Sequence, residues 1–149
     1  MFGLKFQIPN EYGNYINQIF HALDFNEYKW NIRTDDIIND QEMNGIFTKR
    51  YMDGETFSSS INEKNYYMIF VDIKAFGIDG CYRDIETFND FVESDCQIIL
   101  LCTDSTFISF YCKKKEIMEL VHNSCLANSF KNLEILSKDK LYKESMIAF

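Results

Sequence analysis

Three groups of residues have types and spacings that could do chemistry. The first is acidic. In a helix expected over residues 84–94, Glu86, Asp90 and Glu93 recur at i, i+4 and i+7. At helical spacing they share about 60° of arc, opposite Ile85, Phe88, Phe91 and Val92. With Asp35, Asp36 and Asp40 these carboxylates could present a surface to a basic protein partner; the competing reading is a solvated helix face. The second group is Lys113, Lys114 and Lys115, which open a helix expected over 113–128. The helix dipole disfavours cations there, yet a helix start crowned by lysines can hold an anion such as phosphate. Hydrated lysines balanced by Glu116 and Glu119 are the competing reading. The third is Cys81, next to Tyr82, Arg83 and Asp84. A nearby guanidinium or helix start would lower a thiol pKa and make it reactive. His122 could serve as its base, but His21 and His122 both fall on the polar flanks of their helices and read as solvated groups.

Other chemistries lack their residues. The five cysteines, at 81, 96, 102, 112 and 125, include no C-x-x-C pair, and the two histidines are a hundred positions apart, so no zinc site is expected. No phosphate-binding glycine loop, dinucleotide fingerprint, nucleophile elbow or H-E-x-x-H motif occurs. Asp35, Asp36 and Asp40 do not have calcium-loop spacing. Asp72 and Lys74, two apart on one strand, read as an ion pair rather than an acid–base couple. No metal and no cofactor are expected.

The elements that would position these groups follow from periodicity. Alternation places strands at 3–8, 28–33 and 66–76, a hairpin over 97–103 and 106–112, and a last strand around Leu133 and Ile135. Helical spacing of Tyr12, Tyr15, Ile16, Ile19, Phe20 and Leu23 predicts an amphipathic helix over 10–23 with Asn10 as its cap. Phe57 and Ile61 anchor a short helix over 53–62. The strand at 66–76 is expected to leave the core where Asp72 and Lys74 begin. The 34–54 stretch, with a turn signal at Asn44-Gly45, reads as a hairpin or a long loop. Strands and helices in this order give one α+β domain over 1–149, a mixed and largely antiparallel sheet with about four helices packed mainly on one face.

A two-residue turn at Asp104-Ser105 would set Cys102 opposite Phe107 and send Cys102 and Cys112 to opposite faces, which forbids a bridge between them. Both faces of that hairpin are apolar, so both should be covered. The 34–54 segment could cover the second face; alternatively a partner or a second copy of the chain does.

The chain has 149 residues, 46 % hydrophobic and 26 % charged, with net charge −8. That length suits one core. The charge argues against coating nucleic acid or an anionic membrane. Residues 1–112 carry net −10 and residues 113–149 net +2. The N-terminal sequence has no secretory pattern and no apolar run nears the roughly 20 residues of a membrane span. With an odd cysteine count, this predicts free thiols in a reducing cytoplasm.

The segments I-P-N-E-Y-G at 8–13, F-V-D-I-K-A-F at 70–76, D-I-E-T-F-N-D-F-V-E-S-D-C at 84–96 and Y-C-K-K-K-E at 111–116 resemble a family of uncharacterised proteins of about this length from Bacillus-like and related Gram-positive bacteria. The resemblance runs over most of the chain. It implies a bacterial, cytoplasmic, single-domain protein and brings no catalytic residue, ligand or partner with it. The residues themselves point first to a non-enzymatic interaction protein that uses its acidic surface, as immunity and inhibitor proteins do. The alternative is a small-molecule anion sensor or small enzyme using the lysine helix start or the Cys81–Arg83 loop.

Overall fold

The alternating segments assemble into one sheet in a computed structural model that describes residues 1–39, 45–62 and 65–148. The strands are β1 (Phe2–Gln7), β2 (Tyr28–Asn39), β3 (Tyr51–Met52), β4 (Tyr66–Gly77), β5 (Cys96–Thr103), β6 (Phe107–Cys112) and β7 (Lys131–Ile135). The helices are α1 (Tyr15–Ile19), α2 (Gly54–Ile61), α3 (Phe88–Glu93), α4 (Lys115–Ala127) and α5 (Lys138–Leu141). The sheet order is β3-β2-β4-β5-β6-β1-β7. The fold is α+β as expected, and every strand pairing within the sheet is antiparallel rather than mixed.

The sheet is covered on both sides. On face A, Trp30, Val71, Ile73, Leu100 and Phe110 meet Ile16 and Ile19 of α1, Phe20 just after it, Phe57 of α2 and Val121 of α4. Trp30 and Phe57 stack with ring centroids 3.8 Å apart and planes 2° from parallel. On face B, Phe76, Ile99, Leu101 and Tyr111 meet Phe88 and Phe91 of α3, Leu136, Leu141 of α5, and Met146 and Ala148. The hairpin face with Ile98, Leu100 and Cys102 is closed by α1, α2 and α4, and the face with Ile99, Leu101 and Tyr111 by α3 and the 136–148 region. Of the 34–54 segment, Ile37, Ile46 and Met52 join the core on face A. Residues 34–39 prolong β2, 51–52 form β3, and the expected Asn44 turn and Asp40 lie outside the described residues.

Three expectations shift, the first two because backbone groups are claimed from elsewhere. The first helix begins at Tyr15 and not near Asn10, because Gly13 exchanges backbone hydrogen bonds with Tyr66 (3.0 and 3.3 Å). The apolar positions keep their spacing, except that Tyr12 is exposed. The buried Tyr66 hydroxyl then accepts from Ile16 N (3.2 Å) and donates to Ile61 O (2.9 Å), tying α1 to α2. The hairpin closes through three residues, 104–106, with Asp104 and Ser105 at positive φ (49° and 70°). Ser105 N donates to Ile69 O and Ile8 N donates to Thr106 O, and these bonds hold the wider loop. Cys102 thus faces Ile108 rather than Phe107. A one-residue slip moves a strand's side chains across the sheet, so Cys102 and Cys112 lie on the same face, not opposite ones. Both thiols are free and buried. Finally, β4 does not leave the core at Asp72: Asp72 and Lys74 are 0 % and 2 % exposed.

Among the described residues, no helix is long and apolar enough to cross a membrane.

Candidate functional site

The buried charges of β4 organise the most unusual region of the molecule. Asp72 and Lys74 share face B, and Lys74 Nζ donates to Asp72 Oδ1 as the expected ion pair. Asp72 Oδ2 accepts from the backbone N–H of Ala148 (3.3 Å). Burial pushes the Asp72 carboxyl up and the Lys74 ammonium down, and each partner opposes the other's shift. Alongside, β2 has a bulge between Ile32 and Thr34, which re-aims Arg33, as bulges do. Arg33 Nη2 bonds Glu86 Oε1 at 3.0 Å. Its Nη1 is buried with no hydrogen-bond partner among the described residues.

Glu86 connects this cluster to the surface. Its carbonyl accepts from Met146 N (3.0 Å), and Thr87 forms a β-bridge with Ser145. These contacts hold 84–87 extended, so α3 starts at Phe88, four residues after Asp84. Thr87 is its cap: Thr87 Oγ1 accepts from Asp90 N, and Asp90 Oδ2 accepts from Glu86 N and Thr87 N, each at 3.1 Å. Those amide bonds, with Arg83 at 3.6 Å, hold the Asp90 carboxyl below its ordinary range.

The three acids of the 84–94 segment are therefore neighbours but not one helix face. Glu86 precedes the helix and pairs with Arg33, Asp90 caps it, and Glu93 is exposed at its last turn. Asp35 is used locally: its carboxylate accepts from Ile46 N (3.1 Å) and Phe47 N (3.0 Å). Burial raises its pKa, against those bonds. Asp36 is exposed on β2.

Between α3 and the 142–145 segment runs an open groove of about 450 Å³, lined by Glu86, Phe88, Val92, Tyr142, Glu144 and neighbours. A second hollow of about 280 Å³, bordered by Met1, Leu141 and Lys138, shares Phe88, Val92 and Tyr142 with it. The floor is apolar, and Tyr142 is 76 % exposed. The rim has Glu86 on one side and Glu144, paired with Lys5 at 2.8 Å, on the other.

On the far side of the Arg33–Glu86 pair, cations and rings gather. Tyr82 packs edge-on against Tyr51 (4.6 Å between centroids) and Phe76 (5.2 Å). Lys29 Nζ lies 4.6 Å from the Tyr82 ring centre, and the Arg50 guanidinium 6.0 Å from that of Tyr51. Such contacts are attractive through the ring quadrupole. Tyr142, Tyr51 and Tyr82 carry no motif. The one hint in the sequence was two charges, Asp72 and Lys74, inside an otherwise apolar strand.

The other candidate groups are scattered. Lys113 Nζ turns back to Ser94 O and sits 5.3 Å over the Phe91 ring. Lys114 is the cap residue of α4, and Lys115 pairs with Glu119 at 3.8 Å. Cys81 is exposed, and its backbone N–H donates to Asp95 Oδ2 (2.9 Å). His21 is exposed and His122 half-buried. Burial pushes the thiols of Cys96, Cys102, Cys112 and Cys125 up to about 12. They therefore behave as small core residues. Among the described residues no group of three or more His, Cys, Asp or Glu side chains could hold a metal ion.

The model of a family described as "Protein of unknown function (DUF2691)" matches residues 1–147. The "Uncharacterized protein YncE" of Bacillus subtilis (strain 168) is 29 % identical over 150 residues, covering 97 % of each chain. No solved structure matches.

Proposed function

The chain belongs to this DUF2691 family of unknown function, and from that premise we propose that it is a non-enzymatic interaction protein of the cytoplasm. Its groove between α3 and residues 142–145 receives a basic partner segment that carries an apolar side chain. The carrying observation is the groove itself: an apolar floor of Phe88, Val92 and Tyr142, open to solvent, with Glu86 (bonded to Arg33) and Lys143 on its walls and Glu93 exposed nearby on α3. Exposed aromatic anchors beside charged rims are the usual anatomy of docking surfaces. The net charge of −8 favours approach of a basic molecule. The anion-sensor alternative has less support, because Lys113 is committed to Ser94 and Lys115 to Glu119.

The test is a fluorescein-labelled peptide of alternating Arg and Leu, titrated at low and high salt. Binding should weaken as salt screens the charges and should fall on Glu93→Lys and on Tyr142→Ala. An affinity that neither substitution changes would remove the groove from the interaction.

A further inference from the structure

We propose that this surface also receives a second copy of the same chain, presented through its local basic side chains rather than its net charge of −8, with the layers over face B docked across a two-fold axis near the Arg33–Glu86 pair. The inference rests on the interaction role proposed above and gives the partner a chemistry. Two features carry it. Among the described residues, ten large apolar side chains are exposed, and five of them, Met1, Tyr51, Tyr82, Val92 and Tyr142, belong to face B and its covering layer. Apolar surface concentrated on one side marks an interface more than scattered exposure does.

The second feature is the charge arrangement. On one side of this face Glu86 is taken up by Arg33 and Lys143 lines the groove, which leaves Glu93 as the acid without an ion pair; on the other side Lys29 and Arg50 form no ion pair among the described residues. The Arg33–Glu86 pair joins the two sides. A two-fold interface uses one patch twice and must be self-complementary. A patch that is acidic on one side and basic on the other meets that condition. Rotation about an axis between them sets Glu93 of each copy towards Lys29 and Arg50 of the other, with the exposed tyrosines between.

Sedimentation of the full chain from about 1 µM to about 1 mM, a range that brackets ordinary reversible association, tests this. A concentration-dependent monomer–dimer equilibrium is expected. Tyr142→Glu, at an exposed site, should weaken it about tenfold or more. Lys29→Glu/Arg50→Glu and Glu93→Lys chains should each be monomeric alone, and mixing them should restore a dimer through one native and one reversed charge contact. Circular dichroism confirms that the variants fold. A wild type that stays monomeric overturns the proposal, as does a dimer indifferent to all these substitutions. The basic-peptide titration on the same samples judges the groove independently. A monomer that binds the peptide at Glu93 and Tyr142 keeps the interaction role and loses the self-association.

Discussion

The two faces of the sheet solve the same burial problem with different materials. Face A is closed by apolar and aromatic packing: Phe20, Phe25, Phe47, Trp30 and Phe57 form a chain of ring contacts between α1, α2 and β2. Its main buried polar group, the Tyr66 hydroxyl, has partners on both sides. Face B buries an ion pair in the middle of β4 and is closed by a four-residue helix, a six-residue helix and an irregular segment. Packing alone suffices for face A. Face B depends on specific hydrogen bonds, because a buried charge without a partner is costly. Exposed rings, among them Tyr51, Tyr82 and Tyr142, also sit on this second layer.

The contrast can be broken from either side. The largest effect should come from Lys74→Met. It leaves the Asp72 carboxylate buried without its cation, a loss of about 3–5 kcal/mol, read by urea denaturation. Asp72→Leu/Lys74→Met should recover most of that loss, since apolar replacements of buried pairs are often neutral. If the double variant is as unstable as the single one, face B does not need its charges in balance. On face A, Leu100→Ala, at a fully buried position, should cost about 2–5 kcal/mol from lost burial and the cavity left behind. No second substitution of a charge should rescue it.

Smaller effects sharpen the comparison. Thr87→Ala removes one half of the capping box of α3 and should cost about 1 kcal/mol. It should also loosen 142–148, seen as faster amide exchange at Met146. The Asp90 carboxyl is held below its ordinary value of 3.8 by the amides of Glu86 and Thr87. Its contribution is thus complete above that value and is lost as pH falls from there through the lower folded value. Asp90→Asn should flatten this acid limb of a pH–stability curve, and an unchanged limb would assign it to other carboxylates. The smallest change in stability, about 0.5 kcal/mol for the lost edge-on contact with Phe88 (5.4 Å between centroids), belongs to Tyr142→Ala, whose larger effect should appear in binding.

Face A was legible in the amino-acid order because its signals are local. Phe57 and Ile61 with Asp53 as cap mark α2. Ile117, Val121 and Cys125 mark α4. What escaped depended on contacts distant in sequence. Nothing near Asn10 reveals that Tyr66 will take the backbone of Gly13. Nothing at Asp104 reveals that Ile69 and Ile8 will widen the turn and change the register. The acids of 84–94 were visible, but the late start of α3 requires the Ser145 and Met146 contacts, and the Glu86–Arg33 bond requires a bulge in β2. The 142–148 segment has neither a period of two nor of 3.6, so its role as a cover left no pattern to read. The polar character of β4 was visible; its burial was not.

The bond from Ala148 N to Asp72 also has a consequence in time. The two residues are separated by 76 positions. A ribosome adding about 5–20 residues per second places Asp72 and Lys74 outside long before their cover is synthesised. During that interval the pair lacks the 136–148 part of its cover, although α3 on the same face has already been made. The charged centre of the sheet is therefore expected to be sealed late, when Ala148 arrives.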